Sequence, residues 1–252
     1  MNRIILTFGF LLTLPVGVHA TTWFPKEHTC PICTHKSEYQ EIGSYGSYIY
    51  HWPSKYQYVF WPLTDEPSIY CCQKCHFTTY MWDFDNIPEN KIAPLKEYLA
   101  TVKIDKEYEK YYDIPMITRL EIAENVYKIL ERDKEFWCQF YRVLGYHCNG
   151  EKNAVKAKAV RIKALNIAEE MLSDALYKGQ EKEIFLIIAA MHHFTGEKDS
   201  ALIYLDKASL FTYQNDKGEQ SDVKGVDEYL TELIMQYKVF IRKEDKTSWQ
   251  IE

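Results

Sequence analysis

Hydrophobic positions along this chain follow two rhythms that change over near residue 90. Upstream, Tyr48, Tyr50 and Trp52, then Tyr56, Tyr58 and Phe60, fall on every second residue. That is the spacing of β-strands, with Trp52-Pro53-Ser54-Lys55 as the turn between them. Beyond Asn90 apolar residues recur at three and four residue intervals and proline nearly vanishes, which predicts helices over 91–103, 116–132, 134–149, 153–178, 181–195, 199–211 and 225–242. Pro115 suits a first helical turn, where its missing N–H costs nothing. Gly179, Gly196 and Gly218 punctuate the later helices, and links this short predict antiparallel hairpins.

Two of these hairpins resemble tetratricopeptide repeats. Phe185, Ile188, Ala189, His192, Gly196, Ala201, Leu205 and Ala208 fall at that repeat's offsets for large, small and turn residues. Tyr141, Leu144, Gly145, Cys148, Ala157, Arg161 and Ala164 match the same offsets, with Cys148 and Arg161 in places usually aromatic. The two sets start 44 residues apart, against a usual period of ~34. The resemblance implies a helical scaffold that takes a protein or peptide partner in a groove. A plain helical bundle, with alanines serving only close packing, is the alternative.

The first twenty residues change the picture of where the chain works. Arg3, the apolar run Ile4–Leu14 and Val18-His19-Ala20 have the three parts of a secretory signal peptide over 1–20, and eleven apolar residues are too few to span a bilayer. The expectation is a protein exported to the periplasm or beyond, with no transmembrane span after cleavage. Without that segment 232 residues remain, carrying 29 basic against 36 acidic side chains, a net charge of -7. Such a balance disfavours a nucleic-acid partner, which needs a concentrated basic face. Lys152, Lys156, Lys158, Arg161 and Lys163 are expected on the solvated side of a helix.

Candidate chemistry is concentrated in Cys30-Pro31-Ile32-Cys33 and Cys72-Gln73-Lys74-Cys75, 38 residues apart. Two Cys-x-x-Cys knuckles can hold one tetrahedral zinc, and two or three strands fit between them, as in a zinc ribbon. Cys30, Cys33, Cys72 and Cys75 are the candidate ligands, and such a site is structural because four sulfurs leave no position open for chemistry. Cys71 is a spare thiol that could replace Cys72. Two other readings stand beside zinc. An oxidising compartment favours disulfides, and Cys72-Gln73-Lys74-Cys75-His76 has the form of a c-type haem attachment site. Cys138 and Cys148 lie ten residues apart on one helix, about 15 Å and too far to bond, and are expected in the core. No complete catalytic constellation is present. His192 is expected to pack between repeat helices and His193 to face solvent, and Asp83 and Asp85 have no nucleophile to serve.

The first knuckle, Asp65-Glu66-Pro67-Ser68-Ile69-Tyr70, the second knuckle, and Phe77-Thr78-Thr79-Tyr80 with Phe84 beyond resemble the bacterial domain-of-unknown-function family 2225. Paired knuckles followed by tetratricopeptide-like helices are the pattern of that family. The chain departs from it in carrying His76 where glycine is expected, and in the export signal. The resemblance implies a metal-binding, non-enzymatic protein. The expected fold is therefore α+β, a zinc-ribbon-like β module over 21–90 followed by an all-α helical-hairpin domain over 91–252. The expected function is an exported interaction scaffold with a structural zinc. The alternative is a redox protein of the cell envelope, using haem or a reactive thiol pair.

Overall fold

A computed structural model describes residues 22–44, 54–104, 106–214 and 223–243. The expected signal peptide over 1–20 and the residues Tyr48, Tyr50 and Trp52 of the expected strands lie outside the described residues. Among the described residues the fold is α+β and mostly helical: two small antiparallel hairpins precede seven α-helices. Strands β1 (Thr22–Thr29) and β2 (Lys36–Ser44) form the first hairpin, and β3 (Ile69–Cys71) and β4 (Thr78–Tyr80) the second. Each cysteine knuckle is the turn of one hairpin.

The expected strand through Tyr56, Tyr58 and Phe60 does not form. Residues 54–58 make turns, and Tyr58 sits at φ 56, in the left-handed region where no strand can continue. The alternation of aromatics there arises because Tyr56 and Tyr58 meet different helices, so tertiary contacts and not a pleat set the spacing.

The helices are α1 (Glu89–Leu99), α2 (Met116–Leu130), α3 (Lys134–Gly150), α4 (Ala154–Leu172), α5 (Glu181–Thr195), α6 (Lys198–Ala208) and α7 (Val223–Arg242). Their ends follow local chemistry. Asp133 and Asn153 cap α3 and α4 by accepting the N–H groups of Phe136 and Lys156, and Gly196 ends α5 at φ 96. Helix α4 stops at Leu172, short of the expected 178, because Asp174 caps a separate 3-10 turn over Ala175–Tyr177. Helices α3 and α4 pack as one pair and α5 and α6 as another. A Cβ at Gly145 would come within 2.9 Å of the Arg161 side chain, so glycine is what lets α3 and α4 approach this closely.

Arg161 is therefore not on the solvated face expected of its basic cluster. It is 3 % exposed, its guanidinium lies 4.7 Å from the Phe194 ring, and it donates to the Gln57 side chain at 2.6 Å. His193 also departs from expectation, packing edge-on against Tyr237 and Phe240 of α7. His192 is buried as expected, stacked on Tyr204 and paired with Glu197 at 2.8 Å. Cys138 and Cys148 are both buried in the helical core.

Two apolar cores result. The larger joins α2 to α7 with Tyr58, Val59, Leu63, Ile69 and Tyr80. The smaller surrounds the knuckles and draws in Leu95 and Leu99 of α1 and Ile122 and Val126 of α2. Helix α2 is thus shared, one face to each core, and the packing runs continuously across residue 90.

Candidate metal centre

The two knuckles have the same backbone. Cys30 N–H donates to His35 O at 2.8 Å and Thr34 N–H to Cys30 O at 2.9 Å; Cys72 N–H donates to Phe77 O at 2.9 Å and His76 N–H to Cys72 O at 2.7 Å. Thr34 and His76 each take φ 60 immediately after the second cysteine. That is the position where glycine is expected, because only it enters this region without cost. The His76 backbone is thus explained by the turn it completes.

Facing each other, the turns gather four sulfurs. Cys30 and Cys75 Sγ lie 3.6 Å apart, as do Cys33 and Cys72 Sγ, and all four atoms fall within 4.8 Å of one another. A tetrahedron of sulfurs around zinc at ~2.3 Å has edges of about 3.8 Å, so the cage has the size of a four-thiolate metal site. Among the described residues no other group of three or more His, Cys, Asp or Glu side chains is placed to hold an ion. Cys30 and Cys72 are fully buried and Cys33 and Cys75 partly so; a shallow cleft lined by Ile32, Lys74, Lys96 and Leu99 opens onto the latter two.

The electrostatics of the cage favour a cation. Cys72 is held well below the usual thiol range, first by hydrogen bonds from the Cys30 and Cys75 thiols and then by the N–H groups of Cys75 and Lys74. Cys30 is pushed up chiefly by its hydrogen bond to that thiolate, and Cys75 first by its hydrogen bond with Cys30 and then by Cys72, with burial adding to both. One negative sulfur is thus already stabilised, and a divalent ion would release the remaining protons.

Cys71 stands apart from this group. It is fully buried in β3, burial raises its thiol to about 12, and it contributes no sulfur to the cage. All seven cysteines are free thiols, and 3.6 Å between sulfurs is not a covalent bond. For the haem reading the geometry is unfavourable. The Cys72 and Cys75 sulfurs face the opposing knuckle, while His76 lines an outer cleft with Gln73, Lys74, Ile104, Lys106 and Tyr108.

What holds the turns in place is an aromatic cluster behind them that the sequence reading left unassigned. The Tyr39 ring lies 4.6 Å from Tyr70, 4.8 Å from Tyr111 and 4.9 Å from Phe84, and Phe84 lies 5.4 Å from Phe77. Their hydroxyls are satisfied by backbone: Tyr70 donates to Gln40 O at 2.8 Å and Tyr111 to Pro67 O at 2.7 Å, which ties the first hairpin to the approach to the second. Arg119 of α2, fully buried, donates to Ile114 O, Glu66 O and Ile69 O at 2.7 to 2.9 Å and anchors β3 to the helices. Only its position inside an apolar stretch of α2 could have signalled this. Asp83 and Asp85 are structural: Asp83 accepts the Tyr127 hydroxyl and Asp85 pairs with His28, each within 2.9 Å.

No curated protein and no solved structure matches the chain. A family model described as an uncharacterized protein conserved in bacteria, DUF2225, matches residues 23–225, which takes in both knuckles and helices α1 to α6. With the paired knuckles closed on one another and that match covering most of the sequence, the chain belongs to the bacterial family DUF2225.

Proposed function

We propose that this protein is an exported, non-enzymatic interaction protein. Its N-terminal module is folded around a structural zinc at Cys30, Cys33, Cys72 and Cys75, and its helices form a tetratricopeptide-like scaffold for a protein partner. The observation that carries the metal half is the tetrahedron-sized cage of four sulfurs from two equivalent turns. Isolated strand pairs as short as these are marginal, and a structural ion would add to what the aromatic cluster behind the knuckles holds. Export rests on the leader-like run Ile4–Leu14, and the scaffold on the stacked pairs α3–α4 and α5–α6.

The deciding measurement is elemental analysis for zinc and iron on protein purified from its native compartment, with a count of free thiols in denaturant after chelation. One zinc per chain with all seven thiols free is the expected result. Absence of both metals together with missing thiols would replace the ion by disulfides. Iron with a Soret band would make the module a haem carrier.

A further inference from the structure

The N-terminal halves of α3 and α5, the end of α4 and the chain at Tyr58 and Phe60 enclose a cavity of about 150 Å³. Two polar side chains in its lining are more than nine-tenths buried, Arg142 at 8 % exposed and Gln180 at 7 %. The Arg142 guanidinium donates from Nε to Cys138 O at 3.2 Å and from Nη1 to Tyr58 O, and it lies 5.2 Å from the Tyr58 ring. Among the described residues its Nη2 has no hydrogen-bond partner and no carboxylate stands within ion-pair distance of it. The Gln180 carboxamide likewise makes no hydrogen bond to the described residues. The free atoms of both side chains open onto the cavity instead of being sealed against apolar neighbours.

The rest of the lining is acidic on one side and apolar on the other. Glu183 of α5, which accepts the Tyr58 hydroxyl at 2.8 Å, and Glu135 of α3, which is exposed, bring two carboxylates to the same space. Glu135 and Arg142 are seven residues apart on one face of α3, which separates them by about 10 Å along the helix axis. Met171, Ile184 and Ile187 supply an apolar wall.

This charge pattern selects a ligand class. A buried guanidinium with no counter-ion is costly, and water in the cavity would satisfy its hydrogen bonds without supplying the opposite charge. A carboxylate supplies both, because its two oxygens match the guanidinium fork. A ligand with a carboxylate alone would meet Glu183 and Glu135 with like charge, whereas one that also carries an ammonium group meets both ends with opposite charge. Cavities of about 150 Å³ hold benzene, so the space suits a ligand of about six non-hydrogen atoms. We propose that the cavity is a binding site for a small α-amino acid, whose carboxylate pairs with Arg142 and whose ammonium group faces Glu183 and Glu135. Gln180 adds a donor and an acceptor, and the apolar wall receives a short side chain. The site uses none of the cysteines and no helix groove, so it goes beyond the metal and scaffold readings and stands or falls apart from them.

The test is isothermal titration calorimetry on the full-length chain with glycine, L-alanine and L-serine, and with acetate and methylammonium as the two halves of the ligand. At least one of the amino acids is expected to saturate a single site, at least ten-fold more tightly than either half. Arg142→Met should weaken that binding at least ten-fold. Glu183→Gln, which keeps an acceptor for the Tyr58 hydroxyl and removes only the charge, should weaken it by a similar factor, and it decides the matter if Arg142→Met does not fold. The proposal is overturned if none of the three amino acids saturates the wild type, if acetate binds as tightly as they do, or if a folded variant binds like the wild type.

Discussion

Thr34 and His76 illustrate how one residue can be read two ways. Next to Cys75, His76 completes a haem-attachment pattern in sequence, yet both residues occupy the same left-handed step of two equivalent turns. If the step is all that is asked of them, glycine is the better residue there. Thr34→Gly and His76→Gly should each raise stability by about 0.5–1 kcal/mol in denaturant unfolding and leave metal content unchanged; loss of the metal in His76→Gly would make that side chain a ligand. His147 carries a different prediction. Burial lowers its pKa from 6.5 to about 4, so the unfolded chain takes up a proton below pH 6.5 that the folded chain refuses. Its neutral form therefore supports the fold fully above pH 6.5, and that support is lost as the pH falls toward 4, at about 1.4 kcal/mol per pH unit. His147→Gln, which keeps a donor for Leu63 O, should flatten the change in unfolding midpoint between pH 7 and pH 5. Equal pH dependence in variant and wild type would remove His147 from the account.

At the scale of elements, what was legible in the sequence was what short-range physics decides. Every expected helix is present because its apolar positions recur at the helical period over three turns or more, and capping residues such as Asp133, Asn153 and Gly196 mark the ends. The cysteine knuckles were legible for the same reason, since a turn that presents two sulfurs to one point is specified by two intervening residues. The strands were not. β1 and β2 are a largely exposed ribbon in which Tyr39 is the one buried residue, too little to impose alternation along β1, so Thr22–Thr29 carries Pro25, Lys26 and Glu27 without penalty. The segment that does alternate, Tyr56 to Phe60, owes its aromatics to sites on α3, α5 and α7 that do not exist until those helices have assembled.

The described residues form two cores joined through α2, and this fixes how far the effect of removing a metal from the four-cysteine cage should reach. In zinc-finger peptides a structural site is worth on the order of 10–16 kcal/mol, and here its removal should act first on the core that contains the knuckles. Chelation followed by amide hydrogen exchange is expected to speed exchange in β1 to β4 and α1 and to leave α5 and α6 slow. Uniform loosening would mean that the chain unfolds as one cooperative unit. No helix among the described residues is long and apolar enough to cross a membrane. By itself the sequence determined the α+β class, the helices and the four cysteines that cluster, because periodicity, capping and knuckle spacing act over a few neighbouring residues. The tertiary structure alone decided that the two knuckles are equivalent and face to face, that Cys71 is left out, that Arg119 and Arg161 are buried, and that residues 55–63 pack against α3, α4, α5 and α7. Each of these depends on groups far apart in the chain meeting in a shared core, which no local pattern encodes.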